Sequence, residues 1–155
     1  MLLDPADRVL LLEYASSSGS ANFWVTPGGG LEPRERYVDA ARRELLEETG
    51  IAIAAVSACL WVRDFTIRLD GVPTPARERY YVARAPHDRV DTTANPVSAE
   101  LAAIRGHRWW SIAELQQSEQ RIFPTALGTL LGDMFATVSH DVDLRSAQSR
   151  PRRIA

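Results

Sequence analysis

Apolar positions along the chain change their spacing several times, and each change marks an expected element. Residues Arg8 to Tyr14 hold the run Val9-Leu10-Leu11-Leu12, which predicts a short buried strand, and Ser16 to Ala21 is a small-residue loop. Phe23-Trp24-Val25 predicts a second short strand that ends at Pro27 and the glycines Gly28, Gly29 and Gly30, where the chain must turn or approach something closely. From about Glu35 to Thr49 the spacing becomes helical, with Val38, Ala41 and Leu45 as the apolar stripe and Gly50 as the C-terminal cap.

Beyond Gly50, the stretch Ile51 to Phe65 predicts one long or two broken strands, followed by a turn at Asp70-Gly71. Glu78 to Arg84 is expected to pair back as a hairpin, and Pro86 to Pro96 to form a polar loop. His107 to Trp110 predicts a further strand. Ser111 with Glu114 forms a capping box for a short helix over Ile112 to Leu115. Phe123 to Met134, starting near Pro124, predicts a helix with Leu127, Leu130 and Leu131 inward. Residues 1–137 are expected to form one domain and 138–155 a loosely held tail. Strands and helices mix without the regular alternation of a doubly wound sheet, which points to an α/β fold with a mixed sheet between helices.

Composition narrows the function classes. The chain has 155 residues, 45% of them hydrophobic and 25% charged, as expected of a soluble globular domain with a real core. No apolar run is long enough to cross a bilayer, and no secretory signal is legible at the start. The single Cys59 lies in an apolar run and is expected to behave as a small hydrophobe in a reducing cytoplasm. A net charge of −2 offers no general attraction to nucleic acid or membrane, although Arg145 to Arg153 is locally basic. All eighteen basic residues are Arg, which carries no functional reading.

The chemistry lies in Gly28-Gly29-Gly30-Leu31-Glu32-Pro33-Arg34-Glu35 and in the following helix. At 100° per residue, Glu44, Glu47 and Glu48 fall within about a 100° arc. Like charges at i, i+4 cost a helix roughly 0.2–0.5 kcal/mol, and acidic groups in the last turn face the negative end of its dipole. On this reasoning Glu48→Gln leaves the fold as stable as wild type, or slightly more so. A divalent cation converts such repulsion into attraction, because clustered carboxylates are the usual oxygen donors for Mg²⁺. Arg43 can reach Glu47 at i+4 or Glu35 across the turn. Three glutamates alone would be read as a solvated acidic face; the glycine turn at fixed spacing before them changes that.

The spacing Gly-x5-Glu-x7-Arg-Glu-U-x-Glu-Glu-x-Gly-U, with U apolar, is met by Gly29, Glu35, Arg43, Glu44, Leu45, Glu47, Glu48, Gly50 and Ile51. Agreement at seven single-letter positions arises by chance on the order of 10⁻⁸ per starting point. The segment resembles the Nudix box. The resemblance extends to Trp24-x-x-Pro27-Gly28-Gly29 and to Arg108 through Leu115, and covers roughly residues 8 to 135. It implies an α/β/α sandwich with a mixed sheet, and metal-dependent hydrolysis of a phosphoanhydride in a nucleoside diphosphate linked to another moiety, with Mg²⁺ or Mn²⁺ as cofactor. It further implies Glu44, Glu47, Glu48 and the Gly28 carbonyl as metal ligands, with Arg43 orienting the carboxylates and Glu35 supporting them. The general base is Glu44, or an acid from a later loop, for which Glu100 is the candidate. Trp24, Tyr80 and Tyr81 are candidates to stack on a base.

One departure is Arg34, where many family members have Gly. If the position needs a positive φ, an arginine there is strained. The partner implied is a small nucleotide-type molecule rather than nucleic acid or membrane, and a homodimer is compatible with this reading. The competing function is a nucleotide-binding module of the same family that does not cleave; such modules commonly lack box carboxylates, all of which are present here. A prenyl diphosphate isomerase would need extra Cys and Glu acid-base residues, and a P-loop nucleotidase a Lys-Ser/Thr after its glycines.

Overall fold

The computed structural model describes residues 1–16, 21–69, 71–92, 104–138 and 151–154. The central strand is β2 (Val9–Tyr14), whose leucine run is fully buried. β7 (Ile104–Trp110) runs antiparallel along its length, while β1 (Leu2–Leu3) and β3 (Phe23–Val25) pair antiparallel with its first and last residues. The remaining strands of this sheet pair in parallel, β6 (Ala83–Arg84) with β1 and β8 (Ile122–Phe123) with β3. The sheet is therefore mixed, as expected.

Alternation along β2 builds two cores, because successive side chains leave a strand on opposite faces. Val9 and Leu11, with Leu3 and Trp110, pack against Leu115 of α2 (Ile112–Gln117) and Leu127, Leu130 and Leu131 of α3 (Leu127–Val138). Leu2 and Leu10 pack on the other side against Leu45 of α1 (Tyr37–Thr49), with Ile51, Ile53, Ala83 and Ala85. The expected α/β/α sandwich is thus present, with α1 on one face and α2 and α3 on the other.

The hairpin expected to turn at Asp70-Gly71 is present, but it belongs to a second sheet. β4 (Trp61–Leu69) and β5 (Val72–Tyr80), nine residues each, form an antiparallel hairpin whose turn includes Gly71, where the φ of 81° suits a glycine. β9 (Arg152–Ile154) adds in parallel to β4, so within the stretch expected as a loose tail these residues pair with a strand. β5 and β9 are the two edges of this sheet.

Other boundaries also differ from expectation. Residues 51–60 form no strand; Ser57 and Leu60 instead donate backbone bonds to Val82 and Tyr80. The hairpin return starts at Val72 rather than Glu78. The last helix starts at Leu127, because Ile122–Phe123 are drawn into the sheet. The capping box at Ser111 and Glu114 is present, with both reciprocal bonds.

Candidate active site

Helix α1 departs from its predicted stripe in an informative way. Val38 and Leu46 are 36% and 48% exposed, whereas Glu44 and Glu48 are only 8% and 6% exposed and lie inward with Ala40, Leu45 and Thr49. Two carboxylates thus occupy positions that hydrophobicity alone assigns to apolar residues. Burying an ionised carboxylate is costly unless charges or donors compensate it. The helix closes at Gly50, with φ 68° and its N–H on the Leu46 carbonyl, and Thr49 Oγ1 donates 2.5 Å to the Leu45 carbonyl.

The compensation is visible atom by atom. Arg43 donates from Nε to Glu35 Oε1 at 2.9 Å and from Nη2 to Glu35 Oε2 at 2.9 Å, a two-pronged grip. Its Nη1 reaches Glu44 Oε1 at 2.9 Å and Glu47 Oε2 at 3.1 Å, and Nη2 also binds the Gly30 carbonyl at 2.9 Å. One guanidinium therefore joins the glycine loop to three glutamates and offsets the repulsion along α1. Arg43 holds the Glu35 carboxyl below its ordinary range, helped by the Glu32 N–H, and Arg43 itself is driven further toward its charged form.

Glu48 is held differently. It accepts from the Tyr14 hydroxyl at 2.7 Å through Oε1 and from the Gly28 N–H at 2.8 Å through Oε2. Gly28 meets Glu48 through its amide, at φ 149°. No local sequence pattern points to Tyr14, which stands thirty-four residues from Glu48. Gly29 is required by close approach: a Cβ there would lie 2.5 Å from Glu44 Oε1.

Glu44 and the glycines border a cleft of about 480 Å³ between the glycine loop and α1 on one side and the β4–β5 hairpin on the other. Gly28 to Leu31, Tyr37, Ala40 and Glu44 line the first wall, and Phe65, Ile67 and residues 76–80 of β5 line the second. Of the aromatics expected to stack on a base, Trp24 packs edge-on against Trp110 in the core and is not part of this lining. Tyr80 and Tyr81 reach the cleft but are each 8% exposed, and burial together with Glu78 pushes the Tyr80 phenol up. Glu100 lies outside the described residues. Cys59 is half-buried, and burial pushes its thiol up.

The NUDIX domain family model matches residues 1–127, the stretch that carries the glycine loop, the clamped carboxylates and most of both cores. The chain belongs to the NUDIX domain family. It is 33% identical over 114 residues to the zebrafish (Danio rerio) m7GpppN-mRNA hydrolase NUDT17, covering 66% of this chain and 38% of that protein. It is 49% identical over 45 residues to human (Homo sapiens) diphosphoinositol polyphosphate phosphohydrolase 3-alpha, covering 29% of this chain and 26% of that one. The chain thus spans well under half the length of these relatives. In fold it is similar to a NUDIX hydrolase from Nitrosomonas europaea, with a TM-score of 0.59 at 21% identity over 88% of this chain and 86% of the other. An ADP-ribose pyrophosphatase from Streptococcus suis matches at 0.56 and 14% identity over 99% and 96% of the two chains.

NUDIX hydrolases generally use divalent metal ions. The donor chemistry here fits one: carboxylate oxygens are the preferred ligands of Mg²⁺ and Mn²⁺, and the side-chain-free Gly29 leaves room against Glu44. Among the described residues, no three Asp, Glu, His or Cys side chains stand close enough together to hold an ion as they are placed. Arg43, Tyr14 and the Gly28 amide hold the carboxylates in this arrangement.

Proposed function

We propose that this NUDIX domain hydrolyses a phosphoanhydride bond in a nucleoside diphosphate linked to another moiety, with Mg²⁺ or Mn²⁺ held by Glu44, Glu47, Glu48 and the Gly28 carbonyl. The observation that carries the reading is the burial of Glu44 and Glu48 against the glycine loop, with Glu44 lining the cleft. Arg43, Tyr14 and the Gly28 amide offset the cost of that burial and hold oxygen donors beside the loop, the chemistry a divalent cation takes. When bound, the cation would neutralise phosphate charge and lower the pKa of a water.

The chain's own groups complete the arrangement. Glu44 lines the cleft with Arg43 at its Oε1, and its carboxylate is the group proposed to accept a proton from the attacking water. Glu100 is the alternative base on sequence grounds. Arg43 fixes Glu44 and Glu47 relative to the loop, and Glu35 fixes Arg43. The glycine loop lets backbone approach the phosphates. Residues 1–137 form the catalytic unit in this proposal, a cytoplasmic setting belongs to it, and the substrate is a small molecule.

The relatives are named for mRNA caps and inositol pyrophosphates, and a neighbouring fold for ADP-ribose, so the test is a panel. Capped dinucleotides, dinucleoside polyphosphates, ADP-ribose, coenzyme A, oxidised nucleoside triphosphates and an inositol pyrophosphate are incubated with the protein and Mg²⁺, and phosphate-containing products are quantified. The expected result is turnover of at least one nucleotide, lost on adding EDTA and reduced at least ~100-fold in Glu48→Gln. Tight binding of a nucleotide with no product from any compound would replace this reading with that of a non-catalytic module.

A further inference from the structure

Resting on the hydrolytic reading above, we infer that Tyr37 and Arg79 form a stacking platform selecting substrates that carry a flat base on the phosphoanhydride, over substrates whose remaining bulk is phosphate. The Arg79 guanidinium lies over the Tyr37 ring, 4.1 Å from its centroid, and both residues line the cleft. Arg79 is exposed and hydrogen-bonds the Tyr81 side chain, which steadies its guanidinium without neutralising its charge. Its neighbours on β5 are matched in charge: Arg77 donates to Asp64 at 2.5 Å, and Glu78 accepts from Tyr80 at 2.5 Å and from Arg63 at 3.4 Å. A planar cation resting on an aromatic ring has a second flat face, and guanidinium planes stack well on bases.

Placement supports the same occupant. Tyr37 is the first residue of α1 and Glu44 lies seven residues along it, roughly 10 Å at 1.5 Å per residue. That is about the reach of a ribose diphosphate, so one rigid helix carries both the platform and a carboxylate of the reaction centre. Phe65, Ile67 and Ala76 give the opposite wall an apolar surface suited to a base. The charged residues lining the cleft are Glu44, Glu78, Arg77 and Arg79, two of each sign. A ring bearing many phosphates requires a cationic excess, which this lining does not provide.

The test is equilibrium titration in the presence of Mg²⁺, using the full chain and its Arg79→Ala, Arg79→Lys, Tyr37→Ala and Tyr37→Phe variants. The ligands are the four ribonucleoside diphosphates, inorganic pyrophosphate and inositol hexakisphosphate. Wild type should bind at least one nucleoside diphosphate about five- to a hundredfold tighter than pyrophosphate, the range set by one base stack. Arg79→Ala and Tyr37→Ala should erase that preference without changing pyrophosphate affinity. Tyr37→Phe should keep it. Arg79→Lys retains the charge on an exposed site and should lose part of it, which holds the test open if Tyr37→Ala misfolds. Equal binding of pyrophosphate and every nucleotide, parallel weakening of both by Arg79→Ala, or tightest binding of inositol hexakisphosphate would overturn the inference. A normal preference with no hydrolysis would sustain it while defeating the catalytic reading; hydrolysis without the preference would do the opposite.

Discussion

Arg34 holds a left-handed backbone, φ 68°, in the loop between the glycines and α1. The loop therefore keeps the conformation a glycine would suit and accepts a side chain in it. A left-handed non-glycine residue costs about 1–2 kcal/mol, of which glycine's greater freedom in the unfolded chain returns roughly half. Arg34→Gly should consequently stabilise the protein by about 0.5–1 kcal/mol in chemical denaturation, with kcat within roughly threefold of wild type. A loss of kcat comparable to that of Glu48→Gln would show that the Arg34 side chain acts on substrate. At this scale the sequence exposed what is local. The spacing of Glu35, Arg43, Glu44 and Glu47 already placed their charges within reach of one another, and Arg43 meets both partners expected of it. Tyr14 on Glu48 and Arg79 on Tyr37 were hidden, because each contact joins distant segments and depends on strand register and helix docking.

Among the elements, α1 shows why a hydrophobic pattern misleads at a functional site. Its periodicity was read from Val38, Ala41 and Leu45, yet the helix turns Val38 outward and Glu44 and Glu48 inward, since Arg43, Tyr14 and the glycine loop repay their burial. Residues 51–60 mislead in the opposite direction. They have strand-like composition, but their backbone bonds are taken singly by Tyr80 and Val82 rather than in a ladder. Where turn chemistry decides, sequence and structure agree, as in the capping box of α2. There the Ser111 amide and hydroxyl, with Arg108, hold the Glu114 carboxyl below its ordinary value of about 4.5. A depressed folded-state pKa adds stability that is present above the unfolded value and lost as pH falls through the folded one. Thermal melts should therefore show wild type losing more stability than Glu114→Gln as pH falls below about 4.5. Identical pH dependence of the two would remove Glu114 from the account.

Across the whole molecule, the α/β/α layering was legible because β2 buries consecutive leucines on both faces, which requires cover on each side. The second sheet was less so: β5 carries Pro73, Pro75 and alternating charges, and β9 is a three-residue arginine-rich strand, both poor in the apolar runs that announce a strand. The assembled site also reverses one expectation about Glu48. Charge repulsion alone favours Glu48→Gln, but Tyr14 and the Gly28 amide both donate to this carboxylate, and a glutamine amide would turn an N–H toward one of them. Losing a charge-assisted bond costs about 1.5–3 kcal/mol, so without metal the variant should be the less stable protein.

The most direct measurement is the Mg²⁺-induced shift in melting temperature of wild type beside that of Glu48→Gln. At a hundredfold excess over Kd, binding to the folded state adds about 2.7 kcal/mol, or roughly 5–10 °C for a domain of this size. The account predicts a shift of that order in wild type and one reduced by more than half in Glu48→Gln, whose melting temperature without metal is already lower. Equal shifts in both proteins, or none in wild type at tens of millimolar Mg²⁺, would contradict the assignment of the α1 carboxylates as the metal centre.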